Sequence, residues 1–213
     1  MPTGSRSTPT SMATKKTKAA PALRLLRKPA IDTIYQLKIV LGDVSPQVWR
    51  RVLVAGSVRL SELHDVIQIV MGWEQAHLHE FEIGGEIYGT PDPDDLDRRP
   101  IKDEHKVRLA DVVRAPKDRF GYLYDFGDSW QHIITVEKIL PHDGGRSPVC
   151  TGGKRNRVPE DCGGLPGYQN LLQVLKNLKH PEHDAMLNWL GGSYEAEHFD
   201  IDGINQALSA LCA

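Results

Sequence analysis

Apolar side chains recur at every second position in Tyr35, Leu37, Ile39 and Leu41, with Gln36 and Lys38 between them. A period of two predicts a half-buried strand. After the Gly42-Asp43 and Ser45-Pro46 breaks, Gln47 to Val54 reads as a second strand. Val48, Val52 and Val54 share one of its faces, and Trp49 and Leu53 share the other. Arg50 and Arg51 then point to opposite faces, so at least one is paired or at the surface. The period changes at Leu60, Leu63, Ile67, Val70 and Met71, the spacing of an amphipathic helix that Gly72 ends. His77 to Ile83 reads as a strand, and Gly84-Gly85 turns it into Glu86–Tyr88. Residues 90 to 105, with Pro91, Pro93, Pro100 and mixed Asp and Arg, predict a long solvated loop. Phe120, Tyr122, Tyr124 and Phe126 alternate again, Gly127-Asp128 turns the chain, and Trp130 to Ile139 returns it. Gly and Pro interrupt every period from 141 to 167, which predicts loop. Three helical patterns close the chain: Leu171, Leu172, Leu175 and Leu178; Met186, Leu187 and Leu190; Ile204, Leu208 and Leu211.

Strands fill the first two thirds and helices the last third. That segregation predicts an α+β fold: an antiparallel sheet of hairpins, one early helix, and a C-terminal helical cluster on one face. With 213 residues, the expected organisation is a disordered basic leader over 1–31 and a single domain over 32–213. No run approaches the roughly 20 apolar residues of a membrane helix, which excludes an integral helical membrane protein. Three cysteines do not make a disulfide framework, and cytoplasm is the default compartment.

Charge divides the chain at the same place. Residues 1 to 31 hold seven bases and no acid, leaving 19 of the 26 Lys and Arg against all 28 Asp and Glu, a body of −9. An acidic body argues against a broad phosphate-binding surface. The leader offers weak, salt-sensitive nucleic-acid contact, and its Ser/Thr/Ala/Pro composition cannot offset the entropy of ordering. It has no apolar segment of secretory length, although it superficially resembles an organelle transit peptide.

Candidate chemistry falls in three places. His77 and His79 on one strand face would lie about 7 Å apart, a spacing that chelates one metal. A zinc-like divalent ion would draw further ligands from His132, Asp125, Asp128, Cys150 and Cys162; no Cys-x-x-Cys pair is present, and structural histidines are the plainer reading. Asp125, Asp128, Trp130 and His132 bracket the strongest hairpin and are candidate pocket residues, with Asp128 equally suited to a turn. Ser129, His132 and Asp125 form no serine triad, because neither a nucleophile elbow nor an oxyanion loop accompanies them. Glu160 and Asp161 read either as a ligand loop or as acids tying the connection to Arg50 or Arg51. Nearby acids make Cys162 unreactive, and Cys212 is expected to be inert. Gly152 to Arg157 is basic and Gly-rich without P-loop spacing. Trp49, Trp73, Trp130 and Trp189 are expected in the core and pocket walls.

Several ordered motifs resemble the plasmid pRiA4b ORF-three-like family over roughly residues 32 to 211. They are Pro46-Gln47-Val48-Trp49-Arg50-Arg51, Leu63-His64, Ile67-Gln68, Met71-Gly72-Trp73 and His77-Leu78-His79-Glu80-Phe81. Tyr124-Asp125-Phe126-Gly127-Asp128-Ser129-Trp130, His132, Pro159-Glu160-Asp161-Cys162-Gly163-Gly164, Gly167-Tyr168, Phe199-Asp200 and Asn205 complete the set. Val158 and Glu195-Ala196-Glu197 depart from the pattern where prolines are usual. The resemblance implies a cytoplasmic protein of plasmid or mobile-element occurrence. Some members carry a resolvase-related label, but the acidic body shows no Arg-rich Ser site or helix-turn-helix.

The expected function is therefore a binding or interaction module, for a protein or small-molecule ligand, around His77, His79, Trp130 and His132. A metal-dependent hydrolase and an accessory protein of plasmid or transposon DNA are the alternatives.

Overall fold

The computed structural model describes residues 32–92, 100–142, 144–145 and 147–211. The leader, the acidic stretch containing Pro93, and Cys212 lie outside these residues. The strands are β1 (Thr33–Leu41), β2 (Trp49–Ala55), β3 (His79–Ile83), β4 (Glu86–Gly89), β5 (Ile101–Asp103), β6 (Arg119–Tyr124), β7 (Trp130–Pro141) and β8 (Val149–Lys154). They form one sheet in the order β5-β4-β3-β6-β7-β1-β2-β8. All neighbours are antiparallel except β4 and β5. The helices are α1 (Leu60–Met71), α2 (Leu109–Val112), α3 (Gly164–Lys176), α4 (His183–Trp189) and α5 (Ile201–Ala210). The fold is α+β. No helix among the described residues is long and apolar enough to cross a membrane.

One face of the sheet carries the core. Tyr35, Leu37, Ile39 and Leu41 of β1 are buried, as are Val52 and Val54 of β2, Phe81 and Ile83 of β3, and Ile134 and Val136 of β7. Helix α1 lays Leu60, Leu63, Ile67, Val70 and Met71 against them. Gly72 ends α1 in the left-handed conformation at φ 80°, and its N–H bonds the Gln68 and Ile69 carbonyls. A Cβ at Gly72 would also meet the Arg157 side chain at 2.7 Å, so both conformation and space require glycine there.

Arg50 is the buried arginine, and it fastens α1 to the sheet. Its Nε donates to the Val70 carbonyl at 2.7 Å, its guanidinium donates to the Trp49 and Lys154 carbonyls, and it stacks over Phe199. Arg51 points to the other face and pairs with Glu137. Neither arginine touches Glu160 or Asp161, which corrects the tie expected from sequence.

Three element assignments change. β3 begins at His79, so His77 sits in the preceding loop. The 90–105 loop contains β5, which adds in parallel to β4. The 141–167 loop contains β8, paired with β2 through Trp49 opposite Lys154 and Val52 opposite Cys150. The outer edge of β8 is occupied by a side chain: Asn205 of α5 accepts from the Cys150 N–H and donates to its carbonyl, 2.8 and 2.9 Å. An amide bound this way takes the place of a neighbouring strand and blunts the edge.

Candidate metal centre

His77, Asp125, Glu160 and Asp161 come from three separate loops and converge on one point. The imidazole Nε2 of His77 lies 3.1 Å from Asp161 Oδ1, 3.7 Å from Asp125 Oδ2 and 3.9 Å from Glu160 Oε2. That nitrogen is buried yet makes no hydrogen bond, because none of the three contacts has hydrogen-bond geometry. Native structures rarely leave such an atom unpaired, and ligand sites are a frequent reason when they do.

Backbone and hydroxyl groups aim the carboxylates. Asp125 is left-handed at φ 56°. Its Oδ1 accepts from the Gly127 and Asp128 N–H groups, and its own N–H donates to the Leu78 carbonyl. Oδ2 is left facing His77. Glu160 is divided likewise. Its Oε1 accepts from the Tyr124 hydroxyl at 2.7 Å and from the Glu74 N–H at 2.6 Å, leaving Oε2 toward His77. The Tyr124 hydroxyl in turn accepts from the Ala76 N–H, and its ring packs edge-on against His77. Burial, followed by the adjacent Glu160, holds the Tyr124 phenol well above its usual range, so it stays a donor. Asp161, at φ 52°, is mostly exposed and closes the cluster from the solvent side. Gln75 precedes His77 by two residues and is also left-handed, its N–H held by Gln68 Oε1.

Three carboxylates within 4 Å of one imidazole repel one another unless positive charge, on a bound cation or on the imidazole itself, offsets them. An ion about 2.1 Å from each of four tetrahedral N and O donors would put those donors about 3.4 Å apart. The distances observed from Nε2 bracket that value, and the donor atoms of His77, Asp125 and Asp161 all lie within 4.8 Å of one another. One imidazole with carboxylates suits a zinc- or manganese-like ion. Around a bound ion, the groups that fix the carboxylates would orient its ligands from one bond further out. Tyr124→Phe is therefore expected to weaken metal affinity about 10- to 100-fold with little change in fold, measured by competition with a chromogenic chelator.

The other expected ligands go elsewhere. His79 lies on β3 with its ring stacked on His64 at 3.5 Å and 6°, and its Nε2 meets buried Glu104 at 2.9 Å. His64 Nδ1 meets the Tyr122 hydroxyl at 2.8 Å, and Gln68 donates to that same hydroxyl. The two histidines of the expected chelate thus belong to separate clusters, because the strand starts after His77. His132 is in the core, its Nδ1 facing the Tyr122 carbonyl, and burial pushes its pKa down to about 4. Trp130 is also buried, stacked on Trp73 at 5.6 Å. Asp128 faces away, its Oδ2 accepting from the Gly163 N–H. Cys150 is clipped to Asn205 through its backbone. Cys162 adjoins Asp161, but burial and the Asp128 and Asp161 charges push its thiol up to about 12, which makes it a poor ligand.

A cleft of about 480 Å³ opens beside the cluster, walled by Glu74, Asn156, Arg157, Glu160, Tyr194 and Trp189. Trp189 is half exposed there, and a second cleft of about 420 Å³ shares Asp161 and Trp189 with it. Sequence reasoning missed Tyr124 as a polar anchor and the two partners of His79, the stacked His64 and the buried Glu104. His64 was visible only as part of a motif, and nothing local to Glu104 marks it.

Residues 33–203 match the family model described as plasmid pRiA4b ORF-3-like protein. The chain is 37% identical over 185 residues to the uncharacterized protein y4hQ of Sinorhizobium fredii, a match spanning 86% of this chain and 94% of that one. It is also similar to the crystal structure of a protein of unknown function from Methanosarcina mazei Go1, with TM-score 0.72 and 39% identity over 81% of this chain and 97% of that one.

Proposed function

We propose, for a chain that belongs to the plasmid pRiA4b ORF-3-like family, a metal-centred binding module. His77, Asp125 and Asp161 hold one divalent transition-metal ion, with the Glu160 carboxylate beside them. A small polar ligand reaches that ion through the cleft between Arg157, Tyr194 and Trp189. The observation that carries this reading is the buried, unpartnered His77 Nε2 facing three carboxylates, two of them pinned through their other oxygen. An ion there would have an open side, because Asp161 is mostly exposed and the cleft begins beside it. Ligands that offer oxygen or nitrogen to a metal are the expected class.

Elemental mass spectrometry on untagged protein, dialysed against zinc and manganese, tests the reading. Close to one ion per chain is expected, with less than a tenth of that in a His77→Ala/Asp125→Asn variant whose circular dichroism is unchanged. Wild-type protein that emerges metal-free, or a variant that retains the ion, would overturn it.

A further inference from the structure

Among the described residues no helix covers the sheet face opposite the core, and two rows of side chains cross it. Register places Ile133 of β7 beside Val40 of β1, and Val40 beside Trp49 of β2. The next row runs from Arg119 of β6 through Thr135 and Lys38 to Arg51. The first row is apolar and partly open, Ile133 being 51% exposed. The second is cationic. Trp49 lies along the sheet, within ordinary contact of where a Gly152 Cβ would be, with Lys38 Nζ and Arg51 Cζ 5.1 and 5.2 Å from its ring centroid. Gly121, between Glu82 and Ile133, likewise leaves the surface flat.

The charge here reverses that of the rest of the body. Lys38, Arg51, Lys117, Arg119, Lys138 and Lys154 lie on or beside this face, against Glu80, Glu82 and Glu137. Of those bases, Arg51 is the one ion-paired among the described residues, bound to Glu137. Lys117, Lys138, Gln36, Thr135 and the Arg51–Glu137 pair line an open hollow of about 650 Å³ on the same side, where Arg51 offsets the one acid and the two lysines add positive charge. The body's net charge of −9 would repel a polyanion at long range. Screening over about 8 Å at physiological salt leaves the local face to decide once contact is made.

We infer that this face binds single-stranded nucleic acid. Phosphates would lie along the Arg119–Lys38 row and in the Lys117/Lys138 hollow, and unstacked bases on the Ile133–Val40–Trp49 row. A cationic row beside an apolar, aromatic row suits a strand whose bases are exposed, whereas a duplex keeps its bases stacked inside. The inference is independent of the metal centre, which lies at loops on the opposite side of the sheet.

The test is fluorescence anisotropy of the full chain with a labelled 12-nucleotide oligothymidine and a matching duplex at 50 and 200 mM salt. Micromolar binding that favours the single strand and weakens with salt is expected. Lys38→Glu/Arg119→Glu should weaken it at least tenfold, as should Lys117→Glu/Lys138→Glu. The second pair keeps the test valid if the first disturbs Trp49. Lys15→Ala/Lys16→Ala/Lys18→Ala, in the leader, should change it less than threefold. Absent binding, equal affinity for the duplex, or loss only in the leader variant would overturn the inference.

Discussion

Between pH 6.5 and pH 4 the folded state is expected to lose about 6 kcal/mol of stability, through two imidazoles alone. Burial lowers the pKa of His132 to about 4 and that of His64 to about 4, against an ordinary value of 6.5. For His64 the stacked His79 lowers it further, while Glu104 opposes the shift. Geometry agrees with the neutral forms. His132 donates from Nδ1 to the Tyr122 carbonyl and lies sealed beneath Trp73. The Tyr122 hydroxyl accepts a hydrogen bond from Gln68 Nε2, which leaves its own O–H to donate to the Nδ1 of a neutral His64. The sign follows from which state binds protons. Below pH 6.5 the unfolded chain protonates both rings and the folded chain does not, so stability falls as pH falls. The loss levels off once pH passes about 4. Each ring contributes about 3 kcal/mol, and together they rival the whole stability of an ordinary domain. Urea unfolding followed by tryptophan fluorescence at pH 7, 5.5 and 4 would measure this. The His64→Gln/His132→Gln variant should start less stable and show a much flatter pH profile. A wild-type profile as flat as the variant's would refute the assignment.

Arg50→Met is the second large effect, a destabilisation of about 3–5 kcal/mol at pH 7. Burial brings the guanidinium pKa down to about 10, so it is still charged at neutrality. Its donors go to the carbonyls of Val70, Trp49 and Lys154. Val70 belongs to the last turn of α1, where helix carbonyls have no partner within the helix and carry partial negative charge. Methionine fills similar volume but leaves those carbonyls short of a donor in the core. Denaturant midpoints of the two proteins check the prediction, and a difference under about 1 kcal/mol would contradict it. Arg51→Met, on the other face, removes a partly exposed pair with Glu137 and should cost far less.

The same contrast shows what was readable in the chain. Adjacent arginines on a strand must face opposite ways, and that much is local. Which of them is buried depends on α1 and Phe199 arriving from elsewhere. At the candidate centre, His77, Asp125, Glu160 and Asp161 were each chemically conspicuous. Their partners were not, because alternation paired His77 with His79 on a strand that begins two residues too late for it. The acids of 160–161 carried no signal directing them to Tyr124 and His77 rather than to an arginine.

Periodicity determined the elements whose stability is one-sided burial. β1, α1, β6 and β7 each bury a regular stripe, so hydrophobic spacing alone located them, and with the segregation of helices to the end it set the fold class. Tertiary structure decided what depends on pairing across the chain. β8, broken by Gly152-Gly153, and the three-residue β5 exist because β2 and β4 supply the hydrogen bonds they lack alone. The candidate metal centre is decided in the same way. Its donors come from loops fixed by bonds to distant backbone, and long-range positions of that kind leave no period in a sequence.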